Sequence, residues 1–229
     1  MVHFNWTELI PGVDHHSVHI ATAIGASSIM IIMALSARLA LGNSDAAITP
    51  SDRFSLKGVF EVITEFITNL TVTVVGEHGR HFAPMFASIF FFVLFNNFVG
   101  LLPGMTPATD NINTNLAAGA FVFLAYNYYG FKEHGIGYVK QFWGPVLLLG
   151  PLMLVVELIS HLVRPFSLAI RLKANMVGDH AVLGIFLELM PYVIPGFFYL
   201  LGMFVCFMQA FVFVMLTMIY VSMAISHDH

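Results

Sequence analysis

The feature that most restricts the fold of this chain is its long, uninterrupted apolar stretches. Windows of about 20 residues fall at 20–41, 82–102 and 116–131, close to the length that an α-helix needs to cross roughly 30 Å of hydrocarbon. The composition agrees, since 58% of the 229 residues are hydrophobic and only 10% are charged, with a mean hydropathy of +0.84. The sequence therefore predicts an all-α integral membrane protein.

Segment 50–75 has a different pattern, in which apolar residues recur every three or four positions and glutamates lie opposite them. The apolar residues are Val59, Ile63, Phe66, Ile67 and Leu70, and the glutamates are Glu61 and Glu65. A one-sided helix of this kind is typical of the membrane surface. We expect it to lie along the cytoplasmic surface without crossing.

The distribution of Lys and Arg orients the chain. Both are absent from 1–19 and 103–115, whereas basic residues occur in 42–81 and 132–142. The positive-inside rule places the second pair of segments in the cytoplasm and the N-terminal segment 1–19 outside.

The C-terminal half is apolar almost throughout and is divided only at "MPYVIPG", residues 190–196, where Pro and Gly favour a turn. This predicts two long helices, 145–190 and 192–226, that form a hairpin. At 1.5 Å per residue the first exceeds the membrane thickness, so we expect a strongly tilted helix with a kink at Pro165. Five crossings and a cytoplasmic C terminus follow.

A polar stripe follows one face of the first long helix. Its members are Glu157, His161, Arg164, Leu168, Arg171, Asn175 and Asp179, with Ser160 and Ser167 in the same sector. Successive members are three or four residues apart and therefore share a face, whereas His180 projects to the side opposite Arg171. Hydrogen bonding between neighbouring helices is an alternative role for the serines and the asparagine.

Arg171 is harder to explain as a packing residue. A charge near the centre of a bilayer costs at least about 2.5 to 3.5 kcal/mol. No Asp or Glu lies three or four residues from Arg171 on its own helix. We therefore expect its counter-ion to be a carboxylate on another element or another chain.

Four ordered motifs carry a family resemblance. They are "GEHGRHFAPMFASIFFFVLFNNFVGLLPG" (76–104), "DNINTNL" (110–116), "RPFSLAIRLKANMVGDH" (164–180) and "QAFVFVMLTMIYVSMA" (209–224). From about Phe60 to its end, the chain resembles subunit a of the F-type ATP synthase. The fold of that family, with an external N terminus, a surface helix and a tilted hairpin against a ring of c subunits, agrees with the expected spans.

The resemblance implies that Arg171 faces a carboxylate of the c-ring. Protons would reach that carboxylate from outside by one aqueous half-channel and leave to the cytoplasm by a second, with Arg171 between them. Opposite charges 4 Å apart attract by about 4 kcal/mol at an effective dielectric of about 20, which favours the ionised carboxylate and hence proton release. Arginine suits this role because it stays charged.

Further positions follow from the same resemblance. It places Glu157 in the cytoplasmic half-channel, Asn97 in the outside half-channel and Gln209 near the arginine. Ser160 and Asn175 match polar residues of the family's long helix, and Ser167 joins them through its place in the stripe.

His180 matches a Glu or His that is usually coupled to a complementary residue on the last helix. That position is Gly202 here, so the acidic partner of His180 is expected to be Glu188, Asp179 or a residue elsewhere. We expect Gly202 to lie near His180 and the substitution Gly202→Glu to be tolerated.

The implied partners are the c-ring, the subunit b peripheral stalk, the rest of the synthase and membrane lipid. Nucleic acid is not expected as a partner, because the net charge of -4 is small and dispersed. No nucleotide-binding motif such as GxxxxGK[ST] occurs, so ATP chemistry is expected of partner subunits, and no cofactor is implied. The expected location is the bacterial inner membrane.

Three other functions remain as alternatives. A sodium-coupled version of the same subunit differs in ring ligands that belong to another chain. A secondary transporter finds little support without an internal repeat, and a haem protein would need histidines on facing helices, whereas His161 and His180 share one. The cluster of His15, His16 and His19 is favoured as an external surface feature over a metal site.

Overall fold

The computed structural model describes residues 6–9, 17–41, 56–102, 104–135, 137–138, 150–189 and 194–225. In those ranges six long α-helices and no strand occur: α1 (Val18–Leu41), α2 (Leu56–Val75), α3 (Ala83–Val99), α4 (Ile112–His134), α5 (Gly150–Leu189) and α6 (Ile194–Ile225). Short 3₁₀ helices cover Trp6–Leu9, Glu77–Phe82 and Ala108–Asp110. The all-α prediction is confirmed.

Several helix ends have local causes in the sequence. Helix α2 is followed by Gly76, whose φ of 91° is a conformation that glycine adopts readily and other residues rarely adopt. The side chain of Asn111 caps α4 by accepting a hydrogen bond from the backbone N–H of Asn113 at 2.9 Å. Gly135, with a φ of 55°, follows the last turn of α4.

Helix α5 is continuous over 40 residues and contains Pro165, as predicted for a single long helix. At 1.5 Å per residue it is about 60 Å long, twice the thickness of the hydrocarbon core. Residues 145–149 of the predicted helix lie outside the described residues.

Five helices are long and apolar enough to cross a membrane, namely α1, α2, α3 with the end of its preceding 3₁₀ helix, α5 and α6. The number agrees with the prediction, but the membership differs, because α2 qualifies and α4 does not. Helix α4 carries polar residues such as Asn127 that contact α5, which lowers its hydropathy without exposing those groups to lipid. The surface position of α2 stays a prediction.

The core lies where α3, α4 and α6 meet, with one side of α5 against them. Phe86, Phe90 and Phe213 are almost completely buried there, and the rings of Phe90 and Phe207 meet edge to face at 5.8 Å. Helix α4 makes its most extensive contact with α5. This packing holds the middle of α5 against the bundle and leaves its other side open.

Candidate functional site

The polar stripe of α5 lies along the border between the packed and the exposed side of the helix. The buried residues of α5 are Gly150, His161, Pro165, Leu168, Ala169, Leu172 and Met176. At about 100° per residue, Leu168 and His161 turn toward this packed side, whereas Ser160 and Ser167 turn away and are exposed. The stripe thus has some members that pack against the bundle and others that lie on the exposed side of α5.

Arg171 lies on this border and is half-buried. It has no hydrogen bond or ion pair with any other residue that the structure describes. No Asp or Glu lies three or four residues from Arg171 on α5, so no carboxylate of the same helix is spaced to pair with it. The guanidinium is therefore free to meet an anion from outside the described part of the chain.

On one side of Arg171, four polar side chains converge in a small cavity that we call the amide pocket. Its polar lining is Asn97, Asn175, Asp179 and Gln209, and its volume is about 10 Å³, on the order of one water molecule. Asn175 donates a hydrogen bond from its amide nitrogen to Oε1 of Gln209. The pocket joins α3, α5 and α6.

Two donors in the amide pocket have no acceptor among the described residues, namely Nδ2 of Asn97 and Nε2 of Gln209. The other end of the Asn97 amide is fixed, since its Oδ1 accepts a hydrogen bond from Thr109 Oγ1 at 2.8 Å. Asn115 in turn donates to the carbonyl of Thr109 at 2.7 Å. The available donors and the Asp179 carboxylate make the pocket suited to a small polar species.

Gly202 of α6 lies against Asp179 of α5 and against Leu101. A Cβ atom on Gly202 would lie 3.0 Å from Asp179 Oδ2 and 2.8 Å from Leu101 Cδ2. The structure thus identifies Asp179 as a direct neighbour of Gly202, and the expected proximity of Gly202 to His180 stays a prediction. The rotation of α6 brings Gly202 next to Asp179. The Asp179 carboxylate occupies the space that a larger side chain at position 202 would need.

His180 is held by the end of α3. Its Nε2 donates to the carbonyl oxygen of Gly100 at 3.1 Å, so Nε2 carries a proton in the neutral as well as the charged ring. The backbone around Gly100 is itself close-packed, because a Cβ there would meet Pro107 Cγ at 2.7 Å. His180 thus connects α5 to the helix that carries Asn97.

On the other side of Arg171, Glu157 pairs with Arg164 at 3.3 Å between Oε1 and Nη2. The Arg164 guanidinium also lies over the ring of Tyr220, 5.3 Å from its centroid. Glu157 remains partly exposed, at 43% of its side chain. The pair therefore places a carboxylate at the open edge of the helix while anchoring it to α6 through the arginine.

Next to this ion pair, Asn127 of α4 accepts two part-buried hydrogen bonds, one from α5 and one from Tyr138 beyond the end of α4. Oδ1 of Asn127 accepts from His161 Nε2 at 2.9 Å and from the Tyr138 hydroxyl at 3.3 Å. Burial raises the pKa of Tyr138, which keeps its hydroxyl protonated as a donor. We call Glu157, Arg164, His161, Asn127 and Tyr138 the Glu157 cluster.

The remaining predicted residues are placed as follows. Ser160 and Ser167 are exposed and make no hydrogen bond within the described ranges. The side chain of Glu188 and the residues His15 and His16 lie outside the described ones. Among the described side chains there is no group of three or more His, Cys, Asp or Glu that could hold a metal.

Sequence reasoning missed Thr109, Asn115 and Asn127 as parts of the site. Asn115 belongs to the motif "DNINTNL", which supported the family resemblance but did not assign a role to Asn115. Thr109 lies in an irregular segment without periodicity, and Asn127 lies in a predicted crossing, where its polarity was the only available signal. His161 was placed on the stripe, but its partners on α4 could not be inferred from spacing.

These features define a class: a multi-helix membrane protein whose long helix carries an arginine between two groups of polar side chains. Residues 20–222 match the family described as ATP synthase A chain. The chain is 53% identical to an ATP synthase subunit a of Bdellovibrio bacteriovorus over 99% of both chains. It is 46% identical to ATP synthase subunit a 1 of Pelobacter propionicus over 76% of both.

A further relative, ATP synthase subunit a of Sulfurihydrogenibium sp., is 44% identical over 75% of this chain and 83% of its own length. The chain belongs to the ATP synthase subunit a family. It is the proton-translocating subunit of the membrane sector and a component of the ATPase complex.

Proposed function

We propose that Arg171 separates two half-channels that load and unload protons on a carboxylate of the c-ring. The observation that carries this proposal is the position of Arg171, half-buried at the open edge of α5 and without a partner among the described residues. A charged group in that place needs an anion. The ring carboxylate supplies it from another chain.

The amide pocket serves as the inner end of the outside half-channel. Asp179 lies eight residues beyond Arg171, about 12 Å along the helix. Its carboxylate and the available amide donors of Asn97 and Gln209 suit water and a mobile proton. Asn175 links this pocket to the turn of α5 next to the arginine, and His180 flanks the route; Glu188 is assigned to the same half-channel from the sequence alone.

Glu157 serves in the cytoplasmic half-channel. It lies 14 residues before Arg171, about 21 Å along the helix, and 43% of its side chain is open. Ser160 and Ser167 lie on the exposed side between these two residues, where they line the path beside the ring. A proton released from the ring carboxylate near Arg171 leaves by this route.

The electrostatics explain the direction of each step. A carboxylate must be neutral to move through hydrocarbon, and it must be ionised to release its proton. Attraction of about 4 kcal/mol to a guanidinium 4 Å away, at an effective dielectric of about 20, favours the ionised form. Arg171 itself keeps its charge and cannot pass the proton on.

Further parts of the proposal concern the complex. The chain has no catalytic site of its own, and partner subunits perform the ATP chemistry. Its contacts are the c-ring on the open face of α5 and α6, and the subunit b peripheral stalk elsewhere. It lies in the bacterial inner membrane with the N terminus outside and the C terminus in the cytoplasm.

Substitution Arg171→Ala in the complete synthase tests the proposal. We expect ATP-driven proton pumping into inverted vesicles to fall by more than about a hundredfold, since the lost attraction of about 4 kcal/mol exceeds two factors of ten. ATP hydrolysis by the soluble sector should persist. Arg38→Ala is the matched control, because Arg38 is exposed on α1, and it should pump normally. Coupled pumping by Arg171→Ala would refute the proposal.

A further inference from the structure

The strongest unassigned feature is the contact between α4 and the proline of α5. Pro165 lacks an N–H group, so it cannot supply the hydrogen bond that a regular helix would give to the carbonyl of His161, four residues earlier. Side chains of neighbouring helices commonly provide a donor at such a point in a membrane helix. The helix continues through Pro165 without a break.

The hydroxyl of Tyr126 on α4 lies next to this carbonyl. Its oxygen is 3.5 Å from the carbonyl oxygen of His161 and 3.4 Å from both ring nitrogens of the same residue. Tyr126 is 1% exposed, and its ring meets the His161 ring edge to face at 5.1 Å. One buried hydroxyl thus contacts both the backbone and the side chain of His161.

The backbones of the two helices also touch one turn further along. A Cβ atom on Gly119 of α4 would lie 2.6 Å from the carbonyl oxygen of Pro165, closer than a real Cβ can approach. Only glycine permits this contact. Asn127, which accepts from His161 Nε2 at 2.9 Å, completes the junction on the other side of Tyr126.

The position of this junction matters because Pro165 lies between Glu157 and Arg171. Arg171 is six residues beyond the proline, about 9 Å along the helix. A change of about 20° in the direction of the helix, a typical proline kink, would move Arg171 by about 3 Å. That displacement is as large as a hydrogen bond and would change its distance to a ring carboxylate.

We infer that Tyr126 and Gly119 of α4 hold α5 at Pro165 and so position Arg171 relative to Glu157. Tyr126 is a positioning residue that donates where Pro165 has no backbone donor, and Gly119 sets how closely the helices approach. His161 connects the two helices through its contacts with Tyr126 and Asn127. This inference rests on the proposed proton path. It identifies the contact between α4 and α5 as the feature that fixes the position of Arg171 relative to Glu157.

The test is a double-mutant cycle in the complete synthase with Tyr126→Phe, Pro165→Ala and the double variant. Pro165→Ala restores an N–H donor to the His161 carbonyl, so the Tyr126 hydroxyl becomes redundant. We expect Tyr126→Phe alone to lower passive proton conduction per assembled membrane sector by about two- to fivefold, as loss of one hydrogen bond suggests. In the Pro165→Ala background it should change conduction little.

Conduction is measured after removal of the soluble sector and is divided by the amount of assembled complex. A merely structural role would lower that amount and leave conduction per complex unchanged, which would overturn the inference. An equal effect of Tyr126→Phe in both backgrounds would also overturn it. Tyr128→Phe is the control, since Tyr128 is exposed on the same helix.

A second readout applies if Pro165→Ala does not conduct. The same cycle is then followed by thermal unfolding of the purified complex, and Tyr126→Phe must lower the midpoint more in the wild-type background than in the Pro165→Ala background; equal shifts overturn the inference. Gly119→Ala should likewise reduce conduction per assembled complex, whereas Gly184→Ala, which meets nothing within 4 Å, should not. Normal pumping by Arg171→Ala would refute the proposed function whatever the α4 variants do.

Discussion

At the scale of single residues, Asp179 and Gly202 occupy adjoining space on the facing sides of α5 and α6. The glycine leaves room for the carboxylate, and no larger residue could keep its own Cβ there without moving Asp179 or Leu101. The Asp179 carboxylate can therefore lie where it does in the amide pocket because position 202 has no side chain. The contact between Asp179 and Gly202 thus fixes where the carboxylate lies in the amide pocket.

Gly202→Glu should consequently be harmful, contrary to what the sequence suggested. The new Cβ would press on Leu101 and Asp179, and overpacking of this kind typically costs about 1 to 3 kcal/mol. The new carboxylate would also approach a like charge. We expect less assembled complex and lower proton pumping, measured by immunoblotting of subunit a and by acidification of inverted vesicles.

Gly184→Ala provides a comparison, since the added methyl group meets nothing within 4 Å and should leave both quantities unchanged. Wild-type pumping by Gly202→Glu would show that the pocket can rearrange, and it would contradict close packing between Gly202 and Asp179.

At the scale of helices, α2 presents three different faces. Ile67 and Thr71 are buried against the bundle, Val62 and Phe66 are exposed apolar residues, and Glu65 is exposed and charged. At about 100° per residue these groups occupy separate sectors. Such a division suits a helix at the interface, with protein, lipid and water on different sides.

Thiol labelling tests this arrangement. With a membrane-impermeant maleimide added to the cytoplasmic side, Glu65→Cys should react at least about tenfold faster than Val62→Cys, because a thiol in lipid is shielded from water and ionises poorly. The wild-type chain gives the background, since its single cysteine, Cys206, is buried. Equal protection of both positions would instead indicate that α2 crosses the membrane.

Helix periodicity and apolar length were sufficient to predict the long α5, the hairpin partner α6 and the stripe around Arg171, because these follow from spacing along one element. The partners of the stripe were not predictable in the same way. Gly202 meets Asp179 through the relative rotation of α5 and α6, and Thr109 reaches Asn97 from an irregular segment. Neither relation is encoded in the periodicity of a single helix.

At the scale of the whole molecule, α5 and α6 present a broad apolar surface with few polar interruptions. Exposed residues of this face include Ile159, Phe166 and Ile170 on α5 and Phe204 on α6. Lipid chains can cover such a surface, but the half-buried Arg171 at its edge needs a polar partner. A ring whose helices are apolar apart from one carboxylate meets both requirements.

This arrangement predicts which side of the chain meets the ring. A photo-crosslinking residue at Ser167, exposed on α5, should form an adduct with a c subunit, whereas the same residue at Ser88, exposed on α3, should not. Adducts are identified by mass spectrometry of the purified synthase, and the yield at Ser167 should exceed that at Ser88 by at least about tenfold, since crosslinking requires van der Waals contact. Because Ser167 lies one turn before Arg171, a c-subunit adduct there would place the ring beside the arginine, and equal yields at both serines would exclude a ring confined to the α5 face.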